Sequence, residues 1–333
     1  MLGVFASIYE RFIRRRNRRF DDGTTPIATL PARTISIGNL TTGGTGKTPL
    51  VIKCAEILAG RGKRVCILTR GYGRKTKGRV LVSNGREILA GPSEAGDEPV
   101  EMAKRLGQKA VIIADADRVA AAGWAKQEFG VSVFLLDDAF QHRQAARDVN
   151  IVCIDATDPF GGGKLLPAGR LREPASSLGR ADAVVITRPD SGDIPAIRAE
   201  IAKFAPDVPI FEARAKITGL REVEAASRPE NVSSIAHQKG FAFCGIGNPQ
   251  NFFALLKREN YDIAGEKAFK DHHNYTAADL KALERAAEAS GAKFLLTTAK
   301  DAVKFVELSP TMPIFAVEIS LSLDRENEFA TLL

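Results

Sequence analysis

Cysteine is scarce in this sequence, and its placement argues against two kinds of protein. Among the 333 residues there are only four cysteines, and none lies at metal-ligand spacing: Cys54, Cys66, Cys153 and Cys244. Three of them lie in apolar runs and Cys54 lies in a helical pattern, which is typical of buried thiols in a reducing cytosol. We therefore expect neither a disulfide framework nor a cysteine-based metal site.

The sequence also lacks an apolar stretch of the roughly 20 residues that span a membrane. In residues 1–20, MLGVFASIYERFIRRRNRRF, the arginines follow the apolar part, which is the reverse of a secretory signal. The apolar side chains there recur at helical spacing: Leu2, Phe5, Ile8, Tyr9 and Phe12. We interpret the segment as an amphipathic helix attached peripherally to an anionic membrane surface. The alternative is a packing helix with a solvated basic end.

A general excess of positive charge is missing once that segment is set aside. The chain has 47 basic and 40 acidic residues, a net charge of +7. Residues 1–20 hold six arginines against Glu10 and so account for +5 of it. The remainder is nearly neutral, which argues against a nucleic-acid-binding surface. No protein partner is implied by the sequence.

Apolar β-type runs alternate with helical patterns almost throughout. Strands are predicted at 34–39, 64–69, 109–114, 131–137, 149–154, 182–187, 240–245, 293–298 and 313–318. Helices are predicted at 48–60, 99–106, 117–129, 248–259 and 276–290. Runs such as AVIIA and VSVFLL are apolar on both faces, as strands covered by helices on both sides are. We predict an α/β fold with a mostly parallel sheet and helices on both faces.

Two stretches interrupt this alternation. RVLVSNGREIL (79–89) contains Asn84-Gly85, which predicts a type I′ hairpin. IFEARAKI (210–217) alternates with period two, so one face of that strand is predicted to be wet. We place a domain junction in the polar stretch 221–234. The predicted units are the helix at 1–20, a P-loop domain with its linker at 21–220, and a smaller α/β domain at 235–333.

A glycine-rich turn lies between the first predicted strand and the next helix, in ISIGNLTTGGTGKTPLV (35–51). Glycine amides and the positive end of a following helix form a phosphate cradle. Lys47 is expected to reach the β- and γ-phosphates of ATP, and Thr48 to bind Mg²⁺. Thr41 replaces the first glycine of the usual motif, which is tolerated if the backbone there needs no positive φ. The predicted nucleotide-binding residues are Thr41, Thr42, Gly43, Gly44, Thr45, Gly46, Lys47 and Thr48.

Two acids end the apolar strand VSVFLLDD (131–138). Adjacent carboxylates in such a place need a cation or hydrogen-bond donors nearby, and ligands gather at the carboxyl ends of parallel strands. We therefore predict that Asp137 and Asp138 serve magnesium binding or catalysis rather than only capping the strand. The residues alone leave open which of the two contacts the metal.

Two further segments carry titratable groups. Asp97 in AGDEPVEMAKRL comes just before a helix start marked by Pro99, so it is either a functional acid or a helix cap. His272 and His273 lie beside Asp271 in FKDHHNYTAADL, in a loop before a predicted helix. An isolated histidine pair is more often structural or exposed than catalytic. Spacing alone does not connect Asp97 with His272.

Eight segments, taken in order, resemble one family over most of the chain: the tetraacyldisaccharide 4′-kinases, or lipid A 4′-kinases. They are GNLTTGGTGKTP (38–49), LTRGYGRK (68–75), GDEP (96–99), DDAFQHR (137–143), LLPAGRLREP (165–174), FCGIGNPQNFF (243–253), DHHNYT (271–276) and TTAKDAVKF (297–305). The phosphate loop of the family also lacks the first glycine. Any one of these segments would be weak on its own, whereas the ordered set is specific.

The resemblance implies an activity and a place for it. A P-loop NTPase-like domain and a smaller C-terminal α/β domain, joined by a β linker, would close around ATP. With Mg²⁺, the γ-phosphate of ATP would pass to the 4′-hydroxyl of a tetraacyldisaccharide 1-phosphate. The product would be the bis-phosphorylated lipid A precursor, lipid IVA, made at the cytoplasmic face of the bacterial inner membrane.

The resemblance also implies roles for individual residues. The implied catalytic residues are Asp97 as base, His272 as its partner, Lys47, Asp137 and Asp138. Nucleotide contacts are implied for Lys47, Thr48 and His142, magnesium contacts for Thr48, Asp138 and Glu173, and lipid contacts for Arg118 and Arg172. Closure of the two domains would bring His272 to Asp97.

Two other kinds of protein share parts of this pattern. A membrane-surface regulatory ATPase also combines a glycine-rich loop with a basic amphipathic helix. That class carries a second lysine in the loop, and Thr42 occupies the matching position here. A nucleotide-dependent ligase or synthase is compatible with the loop alone, but it leaves LLPAGRLREP and DHHNYT unexplained.

Overall fold

The computed structural model describes residues 2–223, 238–305 and 308–333. The strands are β1 Arg33–Asn39, β2 Val65–Thr69, β3 Val80–Asn84, β4 Ala110–Ala114, β5 Val133–Asp137, β6 Val149–Asp155, β7 Ala183–Thr187, β8 Ile210–Glu222, β9 Gly240–Cys244, β10 Ile263–Ala268, β11 Phe294–Thr298 and β12 Ile314–Leu323. The α-helices are α1 Leu2–Asp21, α2 Lys47–Gly60, α3 Pro92–Ala95, α4 Asp97–Leu106, α5 Arg118–Phe129, α6 Ile194–Ala202, α7 Pro249–Arg258, α8 Ala277–Ala289, α9 Ala299–Ala302 and α10 Glu326–Leu332. The strands and helices that were predicted by their bounds are all present, whereas strand β10 and helices α3, α6, α9 and α10 were missed.

All the strands of the described residues join one sheet, in the order β10-β9-β11-β12-β8-β7-β6-β1-β5-β2-β4-β3. Only the β3–β4 and β8–β12 pairs are antiparallel. Strands β2 and β4 are buried along their whole length, as strands covered by helices on both faces are. The predicted α/β fold with a mostly parallel sheet is confirmed. The glycine-rich turn and Asp137 follow neighbouring strands, β1 and β5, at the same edge of the sheet.

The long antiparallel pair β8–β12 connects the two parts of the sheet. Its register runs from Ala213 opposite Leu323 to Glu222 opposite Phe315. The first residues of β8 alternate between buried and partly exposed, which confirms the predicted wet face. Most of the predicted junction at 221–234 lies outside the described residues. The division into domains at 21–220 and 235–333 therefore stays a prediction.

The helix predicted for residues 1–20 is present as α1, and its two sides have different surroundings. Ile13 is 3% exposed, and Tyr9 Oη donates a hydrogen bond to the Arg172 carbonyl at 3.0 Å. Tyr9 therefore belongs to the docked side and not to the predicted membrane face. An exposed apolar stripe lies on the other side, with 57–65% exposure of Val4, Phe5, Ile8 and Phe12. Packing on the protein and presenting an apolar face are thus combined in one helix.

The predicted type I′ hairpin at Asn84-Gly85 is wrong in its turn. Such a turn needs positive φ at both central residues, and only Gly85 has it, at +78°. Asn84 Oδ1 instead accepts hydrogen bonds from the backbone N–H groups of Arg86 and Glu87, both at 2.8 Å. This side-chain closure favours a longer turn, and the returning chain pairs with β3 only through an isolated bridge.

The structure bears on two features that the sequence was found to lack: a disulfide framework and a membrane-spanning stretch. All four cysteines are buried and unpaired, as expected for thiols in a reducing compartment. Within the described residues, no helix is both long enough and apolar enough to cross a membrane.

Arg105 connects helix α4, which begins at Asp97, to the long strand pair. Its guanidinium forms an ion pair with Glu318 and donates to the Ile319 carbonyl at 2.8 Å. The other oxygen of Glu318 accepts from Arg221 at 2.8 Å. The tie therefore fixes the C-terminal end of α4 to the long strand pair.

We predict that Arg105→Met lowers the free energy of unfolding by about 1–3 kcal/mol, because it leaves a largely buried carboxylate oxygen without its partner. Denaturant unfolding measures the change. The exposed Arg86→Met is the control and should change stability by less than about 0.5 kcal/mol. Equal stability of both variants would show that the tie does not contribute.

Candidate active site

The glycine-rich turn after β1 has the backbone that a phosphate loop requires. Gly43 and Gly46 have φ of +108° and +80°, and helix α2 begins directly at Lys47. A Cβ atom on Gly43 would lie 2.3 Å from Arg170 Nη2, so a larger residue there would displace this guanidinium from the loop. Thr41 does not have positive φ, which is the condition under which the missing first glycine is tolerated.

Side chains from later in the chain hold the carbonyl groups of this loop. Arg170 Nη2 donates to the Thr42 carbonyl at 2.6 Å, and Arg188 Nη2 donates to the Gly44 carbonyl at 2.8 Å. These two arginines therefore hold the loop through its carbonyl groups in the absence of a ligand. Sequence reasoning missed both arginines, although Arg170 lies in the segment LLPAGRLREP.

Two of the predicted nucleotide-binding threonines are buried. Thr41 is 4% exposed and pairs with Leu171 through an isolated antiparallel bridge. A contact of the Thr41 side chain with nucleotide is therefore not supported. Thr45 is 3% exposed, and its carbonyl accepts from Thr187 Oγ1 at 3.0 Å. Thr48 lies in the first turn of α2, directly after Lys47, and its role as a magnesium contact stays a prediction.

Asp137, at the end of β5, is a buried acid with a raised pKa. It is 3% exposed, and its Oδ2 accepts from Thr69 Oγ1 at 2.8 Å. Burial, followed by the nearby charges of Glu98 and Asp138, raises its pKa to about 6. Asp137 therefore holds a proton at a pH at which an ordinary carboxyl group is ionised.

Asp138, the next residue, has the opposite character. Its Oδ1 lies 3.4 Å from Lys47 Nζ, and its Oδ2 accepts from Arg172 Nη1 at 2.8 Å. Burial would raise the pKa of Asp138, but the charges of Lys47 and Arg172 outweigh it and lower the pKa to about 2. The geometry thus favours Asp138 over Asp137 as the ionised ligand for a metal.

The donor set fits magnesium only together with phosphate oxygens. Within the described residues there is no group of three or more His, Cys, Asp and Glu side chains that could hold a metal ion. Mg²⁺ is commonly bound by one or two carboxylates together with substrate phosphates and waters. Asp138 beside Lys47, with Thr48 next along α2, supplies this kind of incomplete set.

Glu173 is engaged by two arginines, so the structure gives no support to its predicted role as a magnesium contact. It is fully buried, and its two oxygens form ion pairs with Arg16 and Arg180, both at 2.5 Å. With both oxygens occupied, Glu173 ties α1 to the loop that carries Arg172. The motif that contains Glu173 did not predict its contacts with these two arginines.

Arg118 and His142 lie against the acids. Arg118 is 4% exposed, and its Nη2 donates to the Asp137 carbonyl at 3.1 Å. Burial, followed by the charges of Arg118 and Arg147, lowers the pKa of His142 to about 4, so this imidazole is neutral near pH 7. Arg118 Nε and His142 Nε2 are buried without hydrogen-bond partners in the described part of the chain. Both atoms are thus available to a polar ligand.

The structure brings His272 to Asp97. His272 Nδ1 lies 3.2 Å from Asp97 Oδ2, and the ring of Tyr72 lies beside His272 at a centroid distance of 5.3 Å. Gly96, with φ of +96°, lets the chain enter α4 at this point, because a Cβ atom there would lie 2.7 Å from the Tyr72 carbonyl. The two side chains are in contact in this structure, and the role of domain closure stays a prediction.

His273 has a different environment. Its Nε2 lies 3.2 Å from Asp279 Oδ2, and its ring stacks on Phe269 at 4.7 Å. The structure therefore selects His272 over His273 as the neighbour of Asp97.

The C-terminal loops also reach the phosphate loop. A Cβ atom on Gly247 would lie 3.5 Å from the Gly44 amide and 3.2 Å from Asp271 Oδ2. Asp271 immediately precedes His272, so the Asp97–His272 pair and the phosphate loop belong to one site.

Sequence reasoning missed two lysines at this site. Lys304 Nζ lies 3.0 Å from Asp97 Oδ2, and Lys300 Nζ lies 3.2 Å from His272 Nε2. Both belong to the segment TTAKDAVKF. Their spacing of four residues would place them on one face of a helix, and this was the only sequence signal that they lie together.

A cavity of about 980 Å³ lies beside α1. Small residues of α1 form one wall, including Gly3 and Ala6, and residues 160–176 form the other. Phe160, Leu165 and Leu171 give that second wall an apolar surface.

Comparisons with known proteins point to one family. The model of the tetraacyldisaccharide-1-P 4′-kinase family matches residues 1–333. The tetraacyldisaccharide 4′-kinase of Geobacter metallireducens is 39% identical over 97% of this chain and 94% of its own, and that of Geobacter sulfurreducens is 38% identical over 96% and 88%. A crystal structure of LpxK from Aquifex aeolicus in complex with ATP superimposes with a TM-score of 0.79, at 33% identity over 98% of this chain and 96% of that one.

We predict that Asp137→Asn stabilises the protein more at pH 8 than at pH 4. A raised pKa means that folding takes up a proton between about pH 4 and pH 6, so wild-type stability falls across this range by up to about 3 kcal/mol. The amide cannot ionise and avoids this loss. Thermal unfolding of both proteins across the pH range measures it. A stability difference that is constant with pH would contradict the raised pKa.

Proposed function

Because the chain belongs to the tetraacyldisaccharide-1-P 4′-kinase family, we propose that it transfers the γ-phosphate of ATP to the 4′-hydroxyl of a tetraacyldisaccharide 1-phosphate. The product is the bis-phosphorylated lipid A precursor, lipid IVA. The protein is thus an ATP-dependent kinase of lipid A biosynthesis. The observation that carries the proposal is the Asp97–His272 contact at 3.2 Å, joined to a phosphate loop in the same site.

Asp97 acts as the base in this proposal. A sugar hydroxyl is a poor acid, and phosphoryl transfer proceeds through a loose transition state in which alignment and charge stabilisation matter most. Asp97 accepts the hydroxyl proton late, while its other contacts keep the carboxylate oriented. A positioned base of this kind typically contributes about 10²–10⁴-fold to the rate.

The phosphate end of the site supplies positive charge. Lys47 pairs with Asp138 in this structure and exchanges that partner for phosphate oxygens when ATP binds. Magnesium, held by Thr48 and Asp138 with the phosphates, would neutralise charge on the transferred group. Asp137 stays beside Asp138, and Arg118 and His142 offer their unpartnered nitrogens to substrate. Arg172 orients Asp138 from the side of the lipid substrate.

Helix α1 and the cavity beside it are proposed to receive the acylated part of the substrate at a membrane surface. The stripe of Val4, Phe5, Ile8 and Phe12 is exposed, and the same helix carries exposed arginines at 11, 14, 15, 18 and 19. Apolar side chains bounded by arginines match the boundary between acyl chains and anionic headgroups. Peripheral attachment at the cytoplasmic face of the inner membrane gives the enzyme access to its lipid and to ATP.

A membrane-surface regulatory ATPase is the competing function. It would use the loop and α1, but it has no need for a base and a histidine beside the phosphates. It also leaves the apolar cavity without a purpose.

The first experiment is phosphate transfer from γ-labelled ATP to the tetraacyldisaccharide 1-phosphate, in detergent with magnesium. Label is expected in the lipid, and Lys47→Ala should abolish it. Asp97→Asn should lower kcat by about 100-fold or more without loss of ATP affinity, because it removes the proton acceptor and leaves the phosphate loop intact. Label that appears only as free phosphate, with or without lipid, would favour the regulatory ATPase.

A second experiment tests α1 by flotation with vesicles that contain phosphatidylglycerol. The triple variant Phe5→Ser/Ile8→Ser/Phe12→Ser should bind at least about tenfold more weakly, because burying each of these side chains is worth about 1.5–3 kcal/mol. The matched control is Ile88→Ser/Leu89→Ser, which changes two other exposed apolar residues. Unchanged flotation of the triple variant would exclude α1 as the anchor.

A further inference from the structure

The segment around α9 presents two lysines, four residues apart, to the Asp97–His272 pair. We propose that Lys300 and Lys304 are positioning residues for the phosphoryl transfer: they fix His272 as the neutral Nδ1–H tautomer and hold Asp97 so that its Oδ1 faces the substrate hydroxyl. This inference rests on the proposed function for its kinetic part only. Its structural part concerns hydrogen positions in the free protein.

Lys300 determines which nitrogen of His272 carries the proton. Its Nζ lies 3.2 Å from His272 Nε2, 3.3 Å from Glu98 Oε1 and 3.5 Å from Asp271 Oδ1. An ammonium group has three N–H donors and no acceptor. These three neighbours match the three donors, so Nε2 has to be the acceptor and cannot carry hydrogen. In a neutral imidazole the hydrogen then lies on Nδ1, which donates to Asp97 Oδ2.

Lys300 keeps its charge in this place. Burial would lower its pKa, but the carboxylates of Glu98, Asp271 and Glu101 outweigh burial and raise the pKa above its ordinary value. A second proton on His272 would point an N–H group at this cation from 3.2 Å. The lysine therefore opposes an N–H group at Nε2 of His272.

Lys304 holds Asp97 directly. Its Nζ is nearly buried and lies 3.0 Å from Asp97 Oδ2. It also donates to the His273 carbonyl at 3.0 Å and lies 3.4 Å from Asp301 Oδ1. Asp301 is fully buried, and its other oxygen accepts from the Gly245 amide at 2.8 Å. Lys304 is therefore anchored by a carboxylate that is itself fixed to the end of β9.

The two contacts leave one oxygen of Asp97 open. His272 Nδ1 and Lys304 Nζ both meet Oδ2, and among the described residues Oδ1 has no hydrogen-bond partner. Burial would raise the pKa of Asp97, but His272 and then Lys304 outweigh burial and lower it. Asp97 is thus ionised with Oδ1 free for a proton. Its partners come from the turn after α9 and from the loop before α8, whereas Asp97 itself begins α4.

Three other charged or titratable groups also lie beside the Asp97–His272 pair. Glu98 faces it from α4, Asp271 from the loop before α8, and Tyr72 from the loop after β2. None of them meets Oδ1 of Asp97. The lysines are therefore the groups whose removal is expected to change the tautomer of His272 and the ionisation of Asp97.

The first test is ¹⁵N NMR of the histidine side chains in the full chain without substrate, where the ring nitrogen shifts separate protonated from unprotonated positions. His272→Gln assigns the signals. We expect unprotonated Nε2 in the wild type and partial protonation of Nε2 in Lys300→Met. The exposed Lys281→Met is the control and should match the wild type. Protonated Nε2 in the wild type, or no change in Lys300→Met, would overturn the inference.

The second test is kinetic. Lys300→Met and Lys304→Met should each lower kcat by about tenfold, less than the loss of the base itself, with the KM for ATP unchanged. Lys300→Arg keeps the charge and should recover most of the rate, which a purely structural role would not require. In Lys304→Met the acid limb of kcat/KM should move to higher pH, because loss of the cation raises the pKa of Asp97. Wild-type kcat in both Met variants would overturn the proposal.

A further variant covers the case in which Lys304→Met does not fold, and the NMR test covers the case in which the proposed function is wrong. If Lys304→Met leaves Asp301 unpaired and does not fold, Lys304→Met/Asp301→Asn removes both charges and carries the same expected shift of the acid limb. If the wild type transfers no phosphate to the lipid, the proposed function fails. The NMR result on His272 stands apart from that outcome, because it needs no substrate.

Discussion

The contacts of Asp97 with Lys304 and His272 depend on the arrangement of the whole sheet. Asp97 and His272 are 175 residues apart in sequence, and their side chains lie 3.2 Å apart. The β8–β12 pair makes the parts of the sheet on either side of it continuous, and Arg105 ties α4 to β12. The proposed role of Asp97 as base would need this precision, since a displacement of about 1 Å can cost about 10²-fold in rate. The sheet therefore sets the geometry on which the proposed reaction depends.

Backbone strain is concentrated at the same place. Among the described residues, the non-glycine positions with positive φ include Asp138 at +48°, Arg188 at +54° and His272 at +58°. Each costs on the order of 1–3 kcal/mol and persists only where the surroundings impose it. The surroundings are visible here: Lys47 and Arg172 hold Asp138, Arg188 holds the phosphate loop, and Lys300 holds His272. Electrostatic contacts thus maintain a geometry that local preference opposes.

The sequence predicted what is local and missed what is distant. The strand, the glycine turn and the helix around Lys47 are neighbours in the chain. Their periodicity and turn chemistry were therefore sufficient to predict them. The partners of Glu173 could not be predicted in this way, because Arg16 and Arg180 reach it from two other segments. The contact of Lys304 with Asp97 likewise joins residues that only the folded sheet brings together. The turn at Asn84 failed for a local reason, since its side chain caps a longer turn.

The two adjacent acids after β5 show how one strand end provides two chemically different groups. Asp137 points into the protein toward Thr69 and, with a pKa of about 6, is largely protonated under mildly acidic conditions. Asp138 turns away through its positive φ, meets Lys47 and Arg172, and is ionised down to about pH 2. Lys47 is therefore neutralised by Asp138 before nucleotide binds, and the phosphates compete for a cation already in place. In the proposed reaction, phosphate that takes Lys47 would leave the Asp138 carboxylate with one cation fewer, which would favour a metal ion at the same oxygen. Asp138 would in this way couple the binding of nucleotide to the binding of metal.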